Sequence, residues 1–359
     1  MALTPEVKAQ LAEQKKQCVY CKIINKEIPA KTVFEDNITL ALLDIYPAKK
    51  GHLVFTLKEH YPIVPLIPAE EFAHFFGLVP ALSRSLQSAM VATGITLFIA
   101  NGGVAGQQFP HFLAHIFPRD QGDGFYNFLF KAGKTLPPEK VVAVQRQLLG
   151  LMQNYFTKNP QTWHSGAGQI PSFLQSISNN NTIIYEDEKV VVIFPEKGVV
   201  AGHFEVYSKL EQRDVTKLSQ EDGSHLFFVV SFVASALFDG LAAQGTNIIL
   251  KSGFSDDNPE GRLCVHILPR MQNDSLQSML WEPKKPEYDL DEIAAKIKDK
   301  MWNVKYKEIK REEVKTENNL VPPKPLSSSP SLIKIGGEKK PLRARHEEEI
   351  EDAIARIMR

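Results

Sequence analysis

The stretch GQQFPHFLAHIFPR, residues 106–119, ends in a pattern that returns 151 positions later as GRLCVHILPR, residues 261–270. His115-Ile116 answers His266-Ile267, and Pro118-Arg119 answers Pro269-Arg270. The same shift aligns Glu35-Asp36 with Glu186-Asp187, Gly51-His52 with Gly202-His203, Gly94 with Gly245 and Gly102 with Gly253. Identities that keep one register across about 85 residues indicate a duplicated domain.

Each copy reads in the same order. A β-rich stretch, TLALLDIYP then GHLVFTL in copy one and VVVIFPEKG then GHFEVY in copy two, precedes a long helical pattern. In copy one that helix starts near Pro68 and carries Phe72, Phe75, Phe76 and Val79 at helical spacing. GITLFIANGG and the histidine strand follow, answered by GTNIILKSGF and GRLCVHILPR. The order β-β-α-β-β with few crossover helices predicts an α+β fold with antiparallel sheet. Between the copies, LPPEKVVAVQRQLLGLMQNYF reads as a bridging helix. After about residue 280 the texture changes. DLDEIAAKIKDKM is a short amphipathic helix capped by Asp289, with Leu290, Ile293, Ile297 and Met301 on one side. The Pro/Ser-rich stretch 316–342 reads as a flexible linker, and 343–359 as a last helix with a stripe of Ile350, Ala353, Ile354 and Ile357. That stripe is expected to dock on the protein's own body or on a protein partner.

Composition narrows the class. The chain has 359 residues, 43% of them hydrophobic, and its 42 basic and 42 acidic residues cancel. Two globular domains are therefore expected, with no global charge to attract nucleic acid. No apolar run in the sequence approaches the roughly 18 residues expected of a bilayer span, and the start, MALTPEVKAQLAEQKKQ, reads as a charged helix instead of a signal peptide. The default expectation is no membrane association and a cytoplasmic location.

The chemistry concentrates in two places. Strand alternation sets His111, Leu113 and His115 on one face. Imidazole is partly unprotonated near neutral pH and attacks phosphorus, whereas leucine does neither. The strand is therefore either a catalytic strand that has lost its working residue or an ordinary strand with two histidines. The three cysteines are too few for a disulfide framework. Cys18 and Cys21, in CVYC, have a spacing that lets two thiolates reach one tetrahedral ion; a redox pair and plain core cysteines compete with that reading.

Copy one resembles a histidine triad (HIT) domain over about residues 17–128, through CVYCKIINKEIPA, LLDIYPAKKGHLVFTLKEH, IANGGVAGQ, and PHFLAHIFPR followed by DQGDGF. Copy two, about 182–277, shares the resemblance mainly through the repeat. Segments 1–16, 129–181 and 278–315 are then an N-terminal helix, a helical bridge and a helical extension. Several expectations follow from the resemblance. Family members pair so that two five-stranded sheets form one of ten strands, so a fused duplication implies a monomeric, intramolecular pseudo-dimer. They bind purine nucleoside phosphates, and their enzymes work through a nucleotidyl-histidine on the middle histidine of H-x-H-x-H. Here that position is Leu113. The resemblance assigns Asp44 to the ribose hydroxyls, and Asn101, Gly106, Gln107 and His115 to the phosphate or the strand beneath it. A turn cap at Asp44 and a simple glycine hairpin remain the competing reading. The zinc-bearing branch of the family adds a histidine from K-x-H and the first triad histidine, so the resemblance implies structural zinc on Cys18, Cys21, His60 and His111.

In copy two the shift puts Arg262 at His111, Cys264 at Leu113 and His266 at His115, while Pro195 stands for Asp44, Ser252 for Asn101 and Glu211 for His60. A cysteine near Arg262 and His266 is a candidate nucleophile, with His266 beside it. A packed, inert cysteine is the competing reading. Three functions follow. The first is a purine nucleoside phosphate-binding protein with little or no standard catalysis. The second is an active HIT-type nucleotide hydrolase or transferase, a phosphoramidase or dinucleoside polyphosphate hydrolase. The third is a zinc-stabilised interaction scaffold.

Overall fold

In the computed structural model, which describes residues 5–158, 169–210, 214–272, 274, 276 and 279–305, the two copies build one antiparallel sheet of ten strands. Copy one supplies β1 (Lys31–Glu35), β2 (Thr39–Leu43), β3 (Leu53–Leu57), β4 (Gly94–Asn101) and β5 (Leu113–Arg119). Copy two supplies β6 (Thr182–Glu186), β7 (Val190–Phe194), β8 (Phe204–Ser208), β9 (Gly245–Gly253) and β10 (Cys264–Arg270). The spatial order β1-β2-β3-β5-β4-β9-β10-β8-β7-β6 reads the same from either end once the repeat is taken into account. Even the irregularities repeat, with a bulge at Thr32/Phe34 in β1 and another at Ile183/Tyr185 in β6. The pseudo-dimer sheet is therefore closed inside one chain.

The seam is the β4–β9 pair, which runs from Gly94 opposite Gly253 to Asn101 opposite Thr246. Both glycines are required there. A Cβ on Gly94 would come within 2.8 Å of the Phe254 carbonyl oxygen, and Gly253 has φ +70 with the Thr93 carbonyl against it. Pairing two sheets edge to edge also removes two exposed edges that would otherwise recruit other strands.

Strand alternation sorts the side chains onto two faces. Ile95, Leu97 and Ile99 of β4 and Ala114 and Ile116 of β5 face the main core, together with Ile248 and Leu250 of β9. That core lies under two 22-residue helices, α3 (Ala69–Met90) and α6 (Gln220–Leu241). The helices cross where Gly77 approaches Ser224 and Gly223 approaches Pro80, and the equivalent rings Phe76 and Phe227 stack with centroids 4.4 Å apart. Smaller helices flank this body: α1 (Pro5–Gln17), α2 (Val19–Ile24), α4 (Pro138–Lys158), α5 (Ser172–Asn180) and α7 (Leu290–Lys300). Asp289 caps α7 by accepting from the Asp291 amide, and Ile293 and Ile297 bury its inner side. Phe98, Phe117, Phe128, Ile249 and Leu268 form a second cluster on the opposite sheet face. This second face carries the histidines.

One expectation needs correction. Among the described residues α6 is long and apolar enough, by length and composition, to cross a membrane. The sequence reading missed it because Ser, Gly and His residues interrupt the apolar run; in the fold it packs on α3 and α4 as a core helix. The linker 316–342 and the helix 343–359 lie outside the described residues, as does Glu211.

Each copy pins its long helix to the first hairpin with a buried carboxylate. Asp36 accepts from the Ile38 and Thr39 amides and pairs with His74 Nε2 at 2.7 Å. Asp187 accepts from the Lys189 and Val190 amides and the Tyr185 hydroxyl, and pairs with His225 Nε2 at 2.9 Å. Burial opposes ionisation of both, but the imidazole and amide hydrogen bonds win and hold both carboxyls below their ordinary range. A depressed folded pKa contributes stability above the unfolded value, about 3.9, and that stability is lost as pH falls through the folded value. Urea midpoints are thus expected to stay level from about pH 7 to 5 and to fall below about pH 4. Asp36→Asn should cost about 2–3 kcal/mol at pH 7 and flatten the acid limb. An unchanged acid limb in that variant would remove Asp36 from the account.

Candidate functional site

Two groups of functional side chains come together in copy one. The first lies at its outer corner. Cys18 caps α2 and Cys21 lies one turn on, so both thiols leave the same side of the helix. His60 follows β3. His111 stands two residues ahead of β5, not within it, where the Phe112 amide donates to the Tyr61 carbonyl. The four side chains are buried and their donor atoms lie within 4.8 Å of one another. Cys18 Sγ is 3.4 Å from His111 Nδ1, and Cys21 Sγ is 3.2 Å from His60 Nδ1 and 3.6 Å from His111 Nδ1. His111 Nε2 donates to the Leu57 carbonyl at 2.9 Å, which leaves the Nδ1 lone pair turned toward the thiols. This is the outer-shell arrangement that ligating histidines use. The hydrogen bond from Cys21 favours a thiolate at Cys18, whose presence pushes the Cys21 thiol up. Two thiols and two imidazoles so placed could hold a metal ion.

The same corner of copy two is built differently. Gln169 and Ser172 stand in place of the cysteines and Arg262 in place of His111. Leu174 of α5 instead fills the corner, packed with Val191, Ile193, Tyr207 and Cys264. Apolar packing does there what a metal could do in copy one.

The second group lies on the sheet face opposite the long helices. His52, fully buried, has Nε2 3.0 Å from Nδ1 of His115. The Ala48 amide donates to His52 Nδ1 at 3.4 Å, so the shared hydrogen sits on His52 Nε2. Burial, then His115, pushes His52 well below the ordinary histidine range, and burial lowers His115 to about 4. Both rings are neutral at pH 7. Asp44 does two things: Oδ1 accepts from the Tyr46 amide at 2.8 Å, closing a turn, while Oδ2 lies 3.4 Å from His52 Nδ1. Burial raises its pKa. Leu113 stands half-buried on the same face as His115, opposite Thr56 of β3.

Asn101 and Gln107 are already committed. Asn101 Oδ1 accepts from the Val64 amide and its amide nitrogen reaches Thr246 Oγ1 across the seam. Gln107 Oε1 accepts from the Gly102 amide, and its Nε2 donates to the carbonyls of Pro62 and Phe109. The two side chains shape the glycine loop from beneath. Gly106 adopts φ +92 and lies against Leu280.

Copy two retains the histidine pair, with His203 Nε2 3.1 Å from His266 Nδ1. Glu205, which takes the place of Val54, lies 3.4 Å from His266 Nδ1 and accepts from the Tyr207 hydroxyl. Against the cost of burial, the His266 hydrogen bond leads the interactions that lower the Glu205 carboxyl to about 2. Cys264 is 5% exposed in its apolar cluster, and burial, then the Glu205 charge, pushes its thiol well up. Arg262 is turned to Glu260 at 2.6 Å.

The sequence reading assigned no site role to the segments that cross between copies, which it took as a helical bridge (129–181) and a helical extension (278–315). Arg119 and Arg270, the last residues of the repeated strands, each fasten the outgoing chain, through Asp123 and Phe125 in copy one and Asp274 and Leu276 in copy two. The chain then runs over the other copy's histidines. Phe130 meets His266 with centroids 5.4 Å apart, and Trp281 meets His52 at 4.9 Å and His115 at 5.0 Å. Trp281 lies 151 positions after Phe130, so the repeat register itself carried the signal.

Comparison with known proteins agrees with this architecture. The HIT domain family model matches twice, at residues 25–122 and 177–273. A HIT-like protein of Methanocaldococcus jannaschii is 43% identical over 107 residues, 30% of this chain and 82% of its own length. The adenosine 5′-monophosphoramidase of Saccharomyces cerevisiae is 32% identical over 30% of this chain and 66% of its own length. Among solved structures, a zinc-bound histidine triad protein of Mycobacterium smegmatis is similar at 30% identity and TM-score 0.29, over 31% of this chain and 80% of its own. With two matched regions covering more than half its length and one sheet built from both, the chain belongs to the HIT family as a tandem duplication.

Proposed function

We propose that copy one binds a purine nucleoside phosphate on the face of His52 and His115 and turns it over little or not at all, while zinc on Cys18, Cys21, His60 and His111 fixes its N-terminal segment. The observation that carries this is Leu113, an aliphatic side chain beside a retained histidine pair, carboxylate and glycine loop. Asp44 Oδ2 is the acceptor for sugar hydroxyls. His115, neutral and held through Nδ1, keeps its Nε2 hydrogen for a phosphate oxygen. Asn101 and Gln107 position the glycine loop without touching the ligand. Zinc, when bound, supplies a crosslink between α2 and the sheet; four protein ligands leave no open position for a reactive water. The yeast relative, named as an adenosine 5′-monophosphoramidase, supports the choice of a purine nucleotide.

Copy two then serves as the sheet partner, and Cys264 as packing. A buried thiol with a raised pKa is a poor nucleophile. Cys264→Ser is accordingly expected to leave nucleotide affinity and any residual turnover unchanged; abolished turnover would reinstate the thiol.

Calorimetry with AMP and GMP tests the binding, and steady-state assay on adenosine 5′-phosphoramidate tests the turnover. Binding without steady hydrolysis is expected. No heat at millimolar nucleotide would favour the scaffold function, and sustained hydrolysis by zinc-loaded protein would favour the active hydrolase.

A further inference from the structure

One turn differs between the copies at its tip. It runs from Asp44 to His52 in copy one and from Pro195 to His203 in copy two. Its backbone is the same in both. The His52 amide donates to the Lys49 carbonyl at 3.0 Å, and the His203 amide to the Val200 carbonyl at 3.1 Å. The Ala48 and Val199 amides approach the two imidazoles alike, at 3.4 Å, and Gly51 and Gly202 take φ +85 and +88. The side chain at the tip is what changes. Val200 packs into the apolar cluster of the second sheet face, whereas its counterpart, Lys49, reaches a buried carboxylate.

Lys49 Nζ lies 3.0 Å from Asp123 Oδ2, and the Asp123 side chain is 1% exposed. Asp123 also accepts from Arg119 Nε at 2.8 Å and from the Asp120 and Phe125 amides. Another nitrogen of Arg119, Nη1, is taken by Asp257, 3.0 Å away, which copy two supplies from the position equivalent to Gly106. Asp274, the counterpart of Asp123, holds Arg270, and Val200 stands where a lysine would reach it. Burying an ion pair costs desolvation, and an apolar side chain in its place is often as stabilising. Copy two shows that valine suffices to form this turn. The lysine is present only in the copy whose turn also carries Asp44. It works from behind the ligand, because Arg119, which it meets through Asp123, pairs with Gly94, at the opposite end of β4 from the glycine loop.

We propose that Lys49 is a positioning residue of the copy-one site. Clamped by Asp123, it fixes the tip of the turn. The Lys49 carbonyl and the Asp44 amide hold the two ends of the His52 backbone, so the clamp sets both the carboxylate for the sugar and the imidazole that orients His115. A charge-assisted hydrogen bond fixes distance and direction, which apolar contact does not. The inference rests on the nucleotide-binding reading and adds to it a residue that touches no ligand.

Full-length protein, Lys49→Val and Lys49→Arg would be compared with Asp274→Asn, which loosens the equivalent place in copy two. The calorimetric affinity for AMP is expected to fall about tenfold in Lys49→Val, to recover in Lys49→Arg and to stay unchanged in Asp274→Asn. Unchanged affinity in folded Lys49→Val overturns the inference. So does a weakening that Lys49→Arg does not relieve or that Asp274→Asn reproduces, which would mark a merely structural role. Ring-nitrogen resonances of isotope-labelled histidine give a second readout that needs no nucleotide. Lys49→Val is expected to shift the His52–His115 pair and leave the His203–His266 pair in place; an unshifted His52–His115 pair overturns the inference. Absence of AMP binding by the unaltered protein would sink the nucleotide reading, and the histidine resonances would still decide whether Lys49 positions His52. Should Lys49→Val fold poorly, Lys49→Met, which keeps the reach of the side chain without its charge, replaces it in both measurements.

Discussion

Leu113→His is expected to raise hydrolysis of adenosine 5′-phosphoramidate by at least about 10³-fold, because it places an imidazole where the fold otherwise retains the supporting groups. Removing the nucleophile from a hydrolase costs up to about 10⁶ in kcat, so recovery of a fraction of that is a conservative estimate. Leu113 is half-buried on β5, and the new ring would share its face with His115, which His52 already orients at 3.0 Å. Two outcomes separate the explanations. A large gain would show that copy one is an intact pocket lacking one group. A folded Leu113→His variant that binds AMP but stays inactive would mean that pocket shape, not the missing imidazole, prevents turnover. Turnover quenched by denaturing the protein would reveal an adenylylated histidine, formed as ammonia leaves, if only the second half-reaction fails.

Zinc removal is the other large effect. Chelation, or the pair Cys18→Ser with Cys21→Ser, is expected to lower stability by about 5 kcal/mol, a fraction of the roughly 10–16 kcal/mol that zinc gives peptides folding only around it. The melting temperature should fall by roughly 10 °C or more. The effect is smaller than in those peptides because the sheet and the α3–α6 core persist, and only α2 loses its attachment. Leu174 and its neighbours supply the comparison inside the same molecule, since that corner of copy two holds α5 by apolar contacts. Elemental analysis should find one zinc per chain in native protein and none in the double variant. Native protein that carries no zinc, or a double variant with unaltered melting, would remove the metal from the account.

The fold was largely legible because its evidence is local and repeated. Glu35-Asp36, Gly51-His52 and Pro118-Arg119 each recur at one spacing, and each turns out to have a job that both copies share: Asp36 and Asp187 pin the long helices, and Arg119 and Arg270 fasten the outgoing chain. The four-residue Cys/His cluster was legible through resemblance alone, since 18, 21, 60 and 111 are far apart in the chain. Asn101 and Gln107 were named as site residues, but which of their atoms remain free depends on Val64, Thr246, Gly102 and Pro62. No pattern in the chain reports that.

By itself the sequence determined the duplication, the α+β class and the absence of an imidazole at Leu113, because side-chain chemistry and strand alternation are properties of short stretches; the candidate ligands of both sites came only through the resemblance. Only the tertiary structure decided that Cys264 lies in apolar packing, that Asn101 and Gln107 hold the loop, and that Trp281 crosses from one copy to the site of the other. The physical reason is that burial, tautomer and coverage are set by groups that pairing at the β4–β9 seam brings together from more than a hundred residues away.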